Sequence, residues 1–356
     1  PTYPFQRRRY WLAAPVESGD PAAFGLRSSE HAVISAVVEL ADERSTVLTG
    51  RIGPDSHPWL ADHAIAGTVL LPGTAFLDLV LHAGSVVGAE RVDELTLTEP
   101  LTFPAGAAVA LQITVEPADA EGRHAVTVHS RPDGESTQVP WVRHATAVLS
   151  GAAPAGETTR TADDGALGSA EGVAWPPPGA VEIAVDERYE RLAELGLGYG
   201  PAFQGLARAW RDGENVLAEV ELDAPEQASA AGFGIHPALL DAALHALEQP
   251  ADGSLLLPFS WSGVSLAATE ATRLRVRLTP RGPQAFALTA TDPSGHPVLA
   301  VEELAVRPVS PAVLADARPQ RDDGLFTLSW EELATGDGGP SAGDVWAVLG
   351  ADPLGL

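Results

Sequence analysis

The sequence predicts an α+β fold with two similar halves, each an antiparallel sheet around one dominant helix. In the first half, strand-like runs precede and follow an apolar helical pattern that begins near Pro72. The same arrangement recurs in the second half around a helix predicted from about Pro237 to Leu247. A stretch rich in Ala, Gly, Thr and Pro, residues 151–180, separates the two halves and is typical of a linker.

The predicted elements follow one another in a similar order in both halves. The first half has AVISAVVEL and STVLTGRI before its helix, and ELTLTEPLTF, AVALQITVEP, RHAVTVHSR and VRHATAVLSG after it. The second half has LARAW and NVLAEVELD before its helix, and GVSLAA, TRLRVRLT, QAFALTAT and VLAVEELAVRP after it. These runs define the predicted domains: a linker over 1–30, a first half over 31–150, the linker over 151–180, a second half over 181–308, and a linker with the start of a further unit over 309–356.

The composition excludes several classes of protein. The formal charge is −26, which excludes nucleic acid as a partner because phosphate binding needs a basic surface. No apolar run approaches the ~20 residues that cross a bilayer and no secretory signal is visible, so we expect a cytoplasmic protein without membrane contact. The absence of cysteine excludes disulfides and thiolate chemistry. The absence of methionine indicates an internal piece of a longer chain.

The most informative segment runs from residue 57 to residue 79, where His63 is followed by Gly67 and Pro72. No third ligand is spaced to complete a metal site with His57 and His63, so we expect no metal. A lone histidine beside a glycine is more often a turn or core residue than a catalytic one. Further motifs are therefore needed before chemistry is assigned to His63.

Three further segments stand out as candidates for a functional site. They are GLGYGPAFQGL over 196–206, GFGIHPALLDAALHAL over 232–247 and LPFSW over 257–261. The first one fails the dinucleotide-binding fingerprint because Pro201 stands where the third glycine should be. The chain has no Gly-x-Ser-x-Gly motif, which disfavours a serine hydrolase.

These segments together resemble the dehydratase domains of modular polyketide synthases. His63, Gly67 and Pro72 have the spacing of that family's His-x3-Gly-x4-Pro signature. Asp241 with His245 resembles the family's Asp-x3-Gln/His motif, and YGPAFQ and LPFSW resemble two further segments of these domains. The resemblance covers roughly residues 30–308 and implies a double hotdog fold, which agrees with the two sheet-and-helix halves.

The resemblance implies loss of water from a β-hydroxyacyl thioester carried by an acyl carrier protein. His63 would be the general base, because neutral imidazole is poised near neutral pH. Asp241 would be the acid, and we expect its apolar neighbours to raise its pKa. His245 would orient Asp241 from one helical turn away.

The remaining implied roles concern the substrate. A backbone N–H near Gly67 would stabilise charge on the thioester carbonyl, and the helix N-terminus at Pro72 would point its dipole into the same region. Tyr199, in a loop with Gly200 and Pro201, would help to hold the substrate hydroxyl.

The resemblance also implies what the domain binds and where it sits in a larger protein. The domain needs no cofactor of its own, because its substrate is carried on the phosphopantetheine of the carrier protein. The flanks resemble a linker that follows an acyltransferase and the entry into a ketoreductase region, so these domains are expected neighbours. A homodimer is expected because the parent synthases are dimeric.

Other interpretations remain open at this stage. The same fold could act as a double-bond isomerase or a pyran-forming cyclase, or as a non-catalytic scaffold that docks carrier protein. Tyr199 could be a packing residue of a turn. Arg273, Arg275 and Arg277 share one strand face and could form a docking patch, although a solvated strand face is the commoner explanation.

Two details of the candidate residues are also expected from the pattern. His63 is expected to be accessible at the surface. Asp78 and His82 repeat the Asp-x3-His spacing of the second helix, and helical geometry puts them on the side opposite the apolar residues of the first helix. We therefore expect Asp78 to be dispensable for the chemistry.

Overall fold

A computed structural model describes residues 21–41, 45–103, 107–134, 139–151, 174–250 and 252–310. Most of the predicted N-terminal linker, the central part of the predicted linker over 151–180, and nearly all of 309–356 lie outside the described residues. Within the predicted N-terminal linker, the structure describes a 3₁₀ turn over Pro21–Phe24 and a short strand over Arg27–Ser28. No helix of the described ranges is long and apolar enough to cross a membrane.

Two of the longer strands of the first half, Val109–Val115 and His124–Pro132, alternate buried and less buried residues, which is the pattern of a half-buried antiparallel sheet. The described residues before Leu206 form eleven strands. These strands are β1 (Arg27–Ser28), β2 (Ile34–Glu39), β3 (Thr46–Ile52), β4 (His63–Ile65), β5 (Thr68–Val69), β6 (Arg91–Leu97), β7 (Val109–Val115), β8 (His124–Pro132), β9 (Val142–Ser150), β10 (Val181–Ile183) and β11 (Leu197–Tyr199). The remaining strands are β12 (Leu206–Asp212), β13 (Asn215–Glu221), β14 (Leu255–Leu266), β15 (Arg273–Gly282), β16 (Ala285–Thr291) and β17 (Pro297–Val309).

Two antiparallel sheets contain these strands. The large sheet has the order β1-β2-β3-β7-β8-β9-β6-β14-β17-β16-β15-β13-β12-β10, so β6 and β14 join the two halves. Leu95 of β6 lies opposite Trp261 of β14, and both side chains are fully buried. A small sheet has the order β11-β4-β5 and was not expected from the sequence, because its strands are only two or three residues long.

The described part of the chain has four helices: α1 (Gly73–Val87), α2 (Asp186–Glu194), α3 (Ala224–Ser229) and α4 (Pro237–Leu244). Helices α1 and α4 are the two predicted central helices, and both are apolar and almost entirely buried. The Thr74 hydroxyl donates to the carbonyl of Pro237 at 3.0 Å, which ties the start of one helix to the start of the other. Helix α4 ends earlier than predicted because the turn over 245–247 continues with i→i−3 hydrogen bonds. The α+β prediction is confirmed.

Asp78 does not lie where the helical pattern places it. Every residue of α1 from Thr74 to Leu81 is buried, so the side opposite its apolar residues is also interior there, and Asp78 is 1% exposed. One carboxylate oxygen accepts from the backbone N–H of Ile235 at 3.0 Å, and the other lies 2.8 Å from His31 Nε2. His31 Nδ1 accepts from the backbone N–H groups of Val33 and Ile34, so Nε2 carries the hydrogen and donates it to Asp78.

We expect Asp78→Asn to lower the free energy of unfolding by about 1–3 kcal/mol. The asparagine oxygen can still accept from the N–H of Ile235. The NH₂ group would then face the Nε2–H of His31, and two donors cannot form a hydrogen bond with each other. Urea denaturation followed by circular dichroism measures the loss. Asp133→Asn is a matched control, because Asp133 forms an exposed ion pair with Arg51, and such pairs contribute little. Equal loss in the two variants would contradict this account of Asp78.

The three arginines of β15 share one strand face, as expected, but they do not form a free basic patch. Each lies within ion-pair distance of a carboxylate of the neighbouring hairpin: Arg273 with Glu221 at 2.5 Å, Arg275 with Glu219 at 3.5 Å and Arg277 with Asp212 at 4.0 Å. Their charges are therefore largely neutralised, and the docking-patch hypothesis loses its basis.

Candidate active site

The candidate site is a cavity of about 310 Å³ between the two halves. Its wall includes His63 of β4, Tyr199 of β11, Gly73 at the start of α1, and Asp241 and His245 of the α4 region. The small sheet explains how distant segments meet here, because β4 pairs with β11 and places Tyr199 directly opposite His63. The remainder of the wall is mostly apolar, so the cavity suits an acyl chain.

His63 has a defined tautomer and a free lone pair. Its Nδ1 lies 2.9 Å from the carbonyl oxygen of Leu70, which can only accept, so Nδ1 carries the hydrogen. Nε2 is then unprotonated in the neutral ring. His63 is 5% exposed and packs on Phe203, with ring centroids 4.9 Å apart, so the expectation of a surface-accessible histidine is wrong. Burial lowers the pKa of His63 and keeps the ring neutral.

Asp241 faces the free nitrogen of His63. Oδ2 of Asp241 lies 3.9 Å from His63 Nε2, so the two groups are neighbours without a hydrogen bond. The same oxygen lies 3.0 Å from His245 Nε2, one helical turn further along. The structure therefore brings together the three residues that sequence reasoning singled out for proton chemistry.

The pKa of Asp241 does not follow the sequence-based expectation. Burial raises the pKa of this carboxyl, but the hydrogen bond from His245 and the charge of that imidazole lower it by more. The net direction is downward, so the expected raised pKa is wrong. The expectation used only the apolar residues next to Asp241 in the sequence. The fold also places two imidazoles beside the carboxylate, and this could not be predicted from those neighbours.

Tyr189 of α2 is a site residue that sequence reasoning missed. Its hydroxyl accepts from the backbone N–H of Leu206 at 3.0 Å and lies 3.3 Å from both the carbonyl of Phe203 and Nδ1 of His245. It therefore connects the His245–Asp241 pair to the loop that carries Tyr199. The sequence carries little signal for it, because Tyr189 lies in a charged amphipathic helix.

Tyr199 lies between the two histidines of the site. Its ring centroid is 5.7 Å from that of His63 and 4.0 Å from that of His245. Burial raises the pKa of its hydroxyl, which stays protonated as a hydrogen-bond donor. That hydroxyl forms no hydrogen bond with another described residue, so it is available to a ligand in the cavity.

Gly200 and Pro201 shape the loop that holds Tyr199. The N–H of Gly200 donates to the carbonyl of Asp62 at 2.8 Å, and the carboxylate of Asp62 accepts from the N–H of Ala202 at 2.9 Å. A Cβ on residue 200 would overlap the Asp62 side chain, so only glycine allows this close approach. Pro201 begins the 3₁₀ turn Pro201–Phe203. Since Asp62 precedes His63, the loop is clamped next to the imidazole.

Of the two residues expected near the thioester carbonyl, Gly67 lies away from the cavity, whereas Pro72 stands at the start of a helix, as expected. Gly67 is exposed in the β4–β5 turn with φ +77°, and it does not line the cavity. Pro72 is the N-cap of α1. The residue after it, Gly73, lines the cavity and contributes one of the first-turn N–H groups that lack an acceptor within the helix. Gly73 is thus the better-placed donor.

The LPFSW segment divides between the cavity and the core. Leu257, Pro258 and Phe259 line the cavity, whereas Trp261 is fully buried. The segment therefore shapes the cavity. The described ranges contain no group of three or more histidine, aspartate or glutamate residues placed to hold a metal ion.

Comparison with known proteins gives consistent matches. A family model described as polyketide synthase dehydratase domain matches residues 31–131, and one described as polyketide synthase dehydratase N-terminal domain matches residues 168–316. Polyketide synthase GfsE of Streptomyces halstedii is 48% identical over 364 residues, which cover 100% of this chain and 9% of the synthase. The chain thus spans about a tenth of the length of that relative.

Two solved structures are similar over most of the described fold. A dehydratase structure concerned with substrate selection in the borrelidin and fluvirucin polyketide synthases is 45% identical with a TM-score of 0.73, and the match covers 82% of this chain and 99% of that one. The bifunctional dehydratase-cyclase domain of ambruticin biosynthesis is 43% identical with a TM-score of 0.71, covering 80% of this chain and 100% of that one. These likenesses confirm the double hotdog fold expected from the sequence.

Proposed function

This chain belongs to the polyketide synthase dehydratase domains, and we propose that it eliminates water from a β-hydroxyacyl thioester with His63 as base and Asp241 as acid. The observation that carries the proposal is geometric. The free Nε2 of His63 and the carboxylate of Asp241 lie 3.9 Å apart on the wall of one apolar cavity. A neutral imidazole and a carboxyl group held side by side can act as base and acid on one substrate.

The first half of the reaction is removal of the α-proton. His63 Nε2 takes the proton, and the electron pair of the broken C–H bond forms the new carbon–carbon double bond. The hydrogen bond from Nδ1 to Leu70 orients the ring and disperses part of the positive charge that develops on it. The thioester carbonyl gains negative charge in this step, and the N–H of Gly73 at the start of α1 supplies a donor for it.

The second half is departure of the β-hydroxyl group. The C–O bond breaks with its electron pair on oxygen, and a proton from Asp241 converts the leaving hydroxide to water. Tyr199 donates a hydrogen bond to the same hydroxyl group, and His245 holds the carboxyl in place. His63 has gained one proton and Asp241 has lost one, so a transfer from His63 to Asp241 restores the starting state.

The substrate and partners follow from the family and are part of the proposal. The thioester is carried on the phosphopantetheine arm of an acyl carrier protein, and the domain uses no cofactor of its own. The neighbouring domains are an acyltransferase and a ketoreductase of the same synthase, the domain works as a homodimer, and the reaction takes place in the cytoplasm. Support comes from the synthase relatives, which are far longer than this chain.

One experiment tests the proposed function directly. The protein is incubated with a β-hydroxyacyl thioester, and the product is examined by mass spectrometry and by ultraviolet absorption of the conjugated thioester. Loss of one water with a new conjugated double bond supports the proposal. An unchanged substrate, in a preparation that circular dichroism shows to be folded, would contradict it and favour the non-catalytic scaffold.

A second candidate activity is cyclisation. The observation that favours it is the 43% identity to a domain described as a bifunctional dehydratase-cyclase. A substrate with an additional hydroxyl group further along the chain separates the two activities. Dehydration alone gives a conjugated alkene, whereas cyclisation after dehydration removes the conjugation without changing the product's mass.

The pH dependence of the reaction follows from the two lowered pKa values. At neutral pH the unliganded protein holds His63 neutral and Asp241 ionised, whereas the reactive form needs one proton on the pair. Lower pH adds that proton. We therefore expect kcat/KM to fall about tenfold per pH unit once the pH exceeds the lowered pKa of His63, which lies below the ordinary imidazole value, because kcat/KM reports the pKa values of the free enzyme.

The profile is measured with a small thioester, and the rate of its uncatalysed decomposition is subtracted at each pH. A constant kcat/KM from about pH 7 to pH 9 would show that Asp241 keeps its proton. The sequence-based expectation of a raised pKa would then be right and the structural account of the carboxyl wrong.

A further inference from the structure

A second cavity of about 260 Å³ lies beside the catalytic one. Leu192 and Gln249 border both cavities, so the two share part of a wall. The other residues of the second cavity are charged: Arg188 and Arg191 of α2, and Glu248. Nothing in the proposed chemistry uses these residues.

Arg188 is a buried cation without a close counter-ion. It is 9% exposed, and it donates one hydrogen bond, from Nη1 to the carbonyl of Leu247 at 3.0 Å. Among the described residues it forms no ion pair, and its other guanidinium nitrogens have no hydrogen-bond acceptor. Burial lowers the pKa of Arg188, the direction expected for an incompletely compensated positive charge.

Two cations and one carboxylate act on the charge of Arg188. Arg191 and Arg211 are the neighbouring cations, and Glu248 is the carboxylate near them. Glu248 is already paired with Arg211 at 2.5 Å. Among the described residues Arg188 is therefore left without an ion-pair partner, whereas the arginines of β15 are each paired with a carboxylate. Helix α2 itself also carries carboxylates, at Asp186, Glu187, Glu190 and Glu194.

We propose that the second cavity is an anion subsite that binds the phosphate of the phosphopantetheine arm while the thioester reaches His63 and Asp241. This inference rests on the proposed function, which supplies the arm. A guanidinium group presents its N–H donors in a fork that matches two phosphate oxygens. Arg188 lies one helical turn before Leu192, which borders both cavities, so the pantetheine part of the arm would pass Leu192 between the phosphate and the thioester.

The test compares three substrates that carry the same β-hydroxyacyl group. They are the pantetheine thioester, which has no phosphate, the 4′-phosphopantetheine thioester, and the thioester on a carrier protein. The variants are Arg188→Gln and Arg191→Gln. Arg191 is exposed, so its variant keeps the test valid if Arg188→Gln does not fold. Arg208→Gln is the matched control, because Arg208 is an exposed arginine of β12 paired with Glu182.

We expect both variants to raise KM for the phosphopantetheine thioester about tenfold or more, as loss of a charge-assisted hydrogen bond implies. KM for the pantetheine thioester and kcat for both should stay at wild-type values, as should every value for Arg208→Gln. Equal changes with and without the phosphate would overturn the subsite. An effect seen with carrier protein but not with free phosphopantetheine would also overturn it, since the anion would then be a carboxylate of the carrier.

A binding measurement separates this proposal from the proposed function. Calorimetric titration with 4′-phosphopantetheine and with pantetheine requires no turnover. Tighter binding of the phosphorylated compound that is lost in Arg191→Gln supports the subsite even if no thioester is dehydrated. Turnover with equal binding of the two compounds rejects the subsite and leaves the proposed function standing.

Discussion

Replacing His63 by glutamine will lower kcat/KM for dehydration by about 10²–10⁴, the range of a general acid–base contribution. Glutamine has a similar length and can donate an amide hydrogen to the carbonyl of Leu70, but it offers no basic nitrogen. Alanine would be a poorer choice, because the buried imidazole packs on Phe203 and its removal would open a cavity. Glutamine therefore separates loss of the base from loss of packing.

The control for this variant is His57→Gln. His57 is another histidine of the same segment, but it lies outside the cavity wall and bonds to Ser56 and the carbonyl of Ala32. It should keep near-normal dehydration. If the folded His63→Gln protein retained wild-type kcat/KM, the base would have to be another group.

Replacing Asp241 by asparagine should also lower turnover by about 10²–10⁴. The amide oxygen can still accept the hydrogen bond from His245, so the geometry is retained, but an amide has no acidic proton to give to the leaving hydroxyl. Asp78→Asn makes the same chemical change in the other Asp-x3-His pair. Asp78 is held by His31 and Ile235 and does not line the catalytic cavity, so we expect its variant to keep substantial activity despite its lower stability.

Single-turnover rates with a small thioester, measured at a temperature where all three proteins are folded, compare wild type, Asp241→Asn and Asp78→Asn. A similar loss of turnover in both variants would mean that the acid has been placed on the wrong helix. Normal turnover by Asp241→Asn would remove the carboxyl from the chemistry altogether.

The sequence predicted the parts of this protein that depend on pattern over many residues. The two central helices and the long strands follow from apolar periodicity, and His63 and Asp241 follow from motif spacing. The small sheet was missed because strands such as Thr68–Val69 are too short to show alternation. That sheet is nevertheless what sets Tyr199 opposite His63.

Properties that depend on contacts between distant segments could not be predicted. Predicting the burial of Asp78 required the knowledge that α1 is covered all round from Thr74 to Leu81. Predicting the lowered pKa of Asp241 required the knowledge that the fold places His63 and His245 beside the same carboxylate. Predicting the role of Tyr189 required the knowledge that α2 packs on the end of α4. In each case the local sequence is compatible with several environments, and tertiary packing selects one.

The joint between β6 and β14 has a consequence for how the domain acquires its shape during synthesis. Leu95 and Trp261, which face each other across that joint, are about 170 residues apart in the chain. Contacts so distant in sequence form slowly, because a long loop must close before they stabilise anything. Until then the ribosome has released a first half whose β6 edge is unpaired and open to association with other chains. Dehydration activity is therefore a late marker of folding, since it needs residues from both sides of the joint.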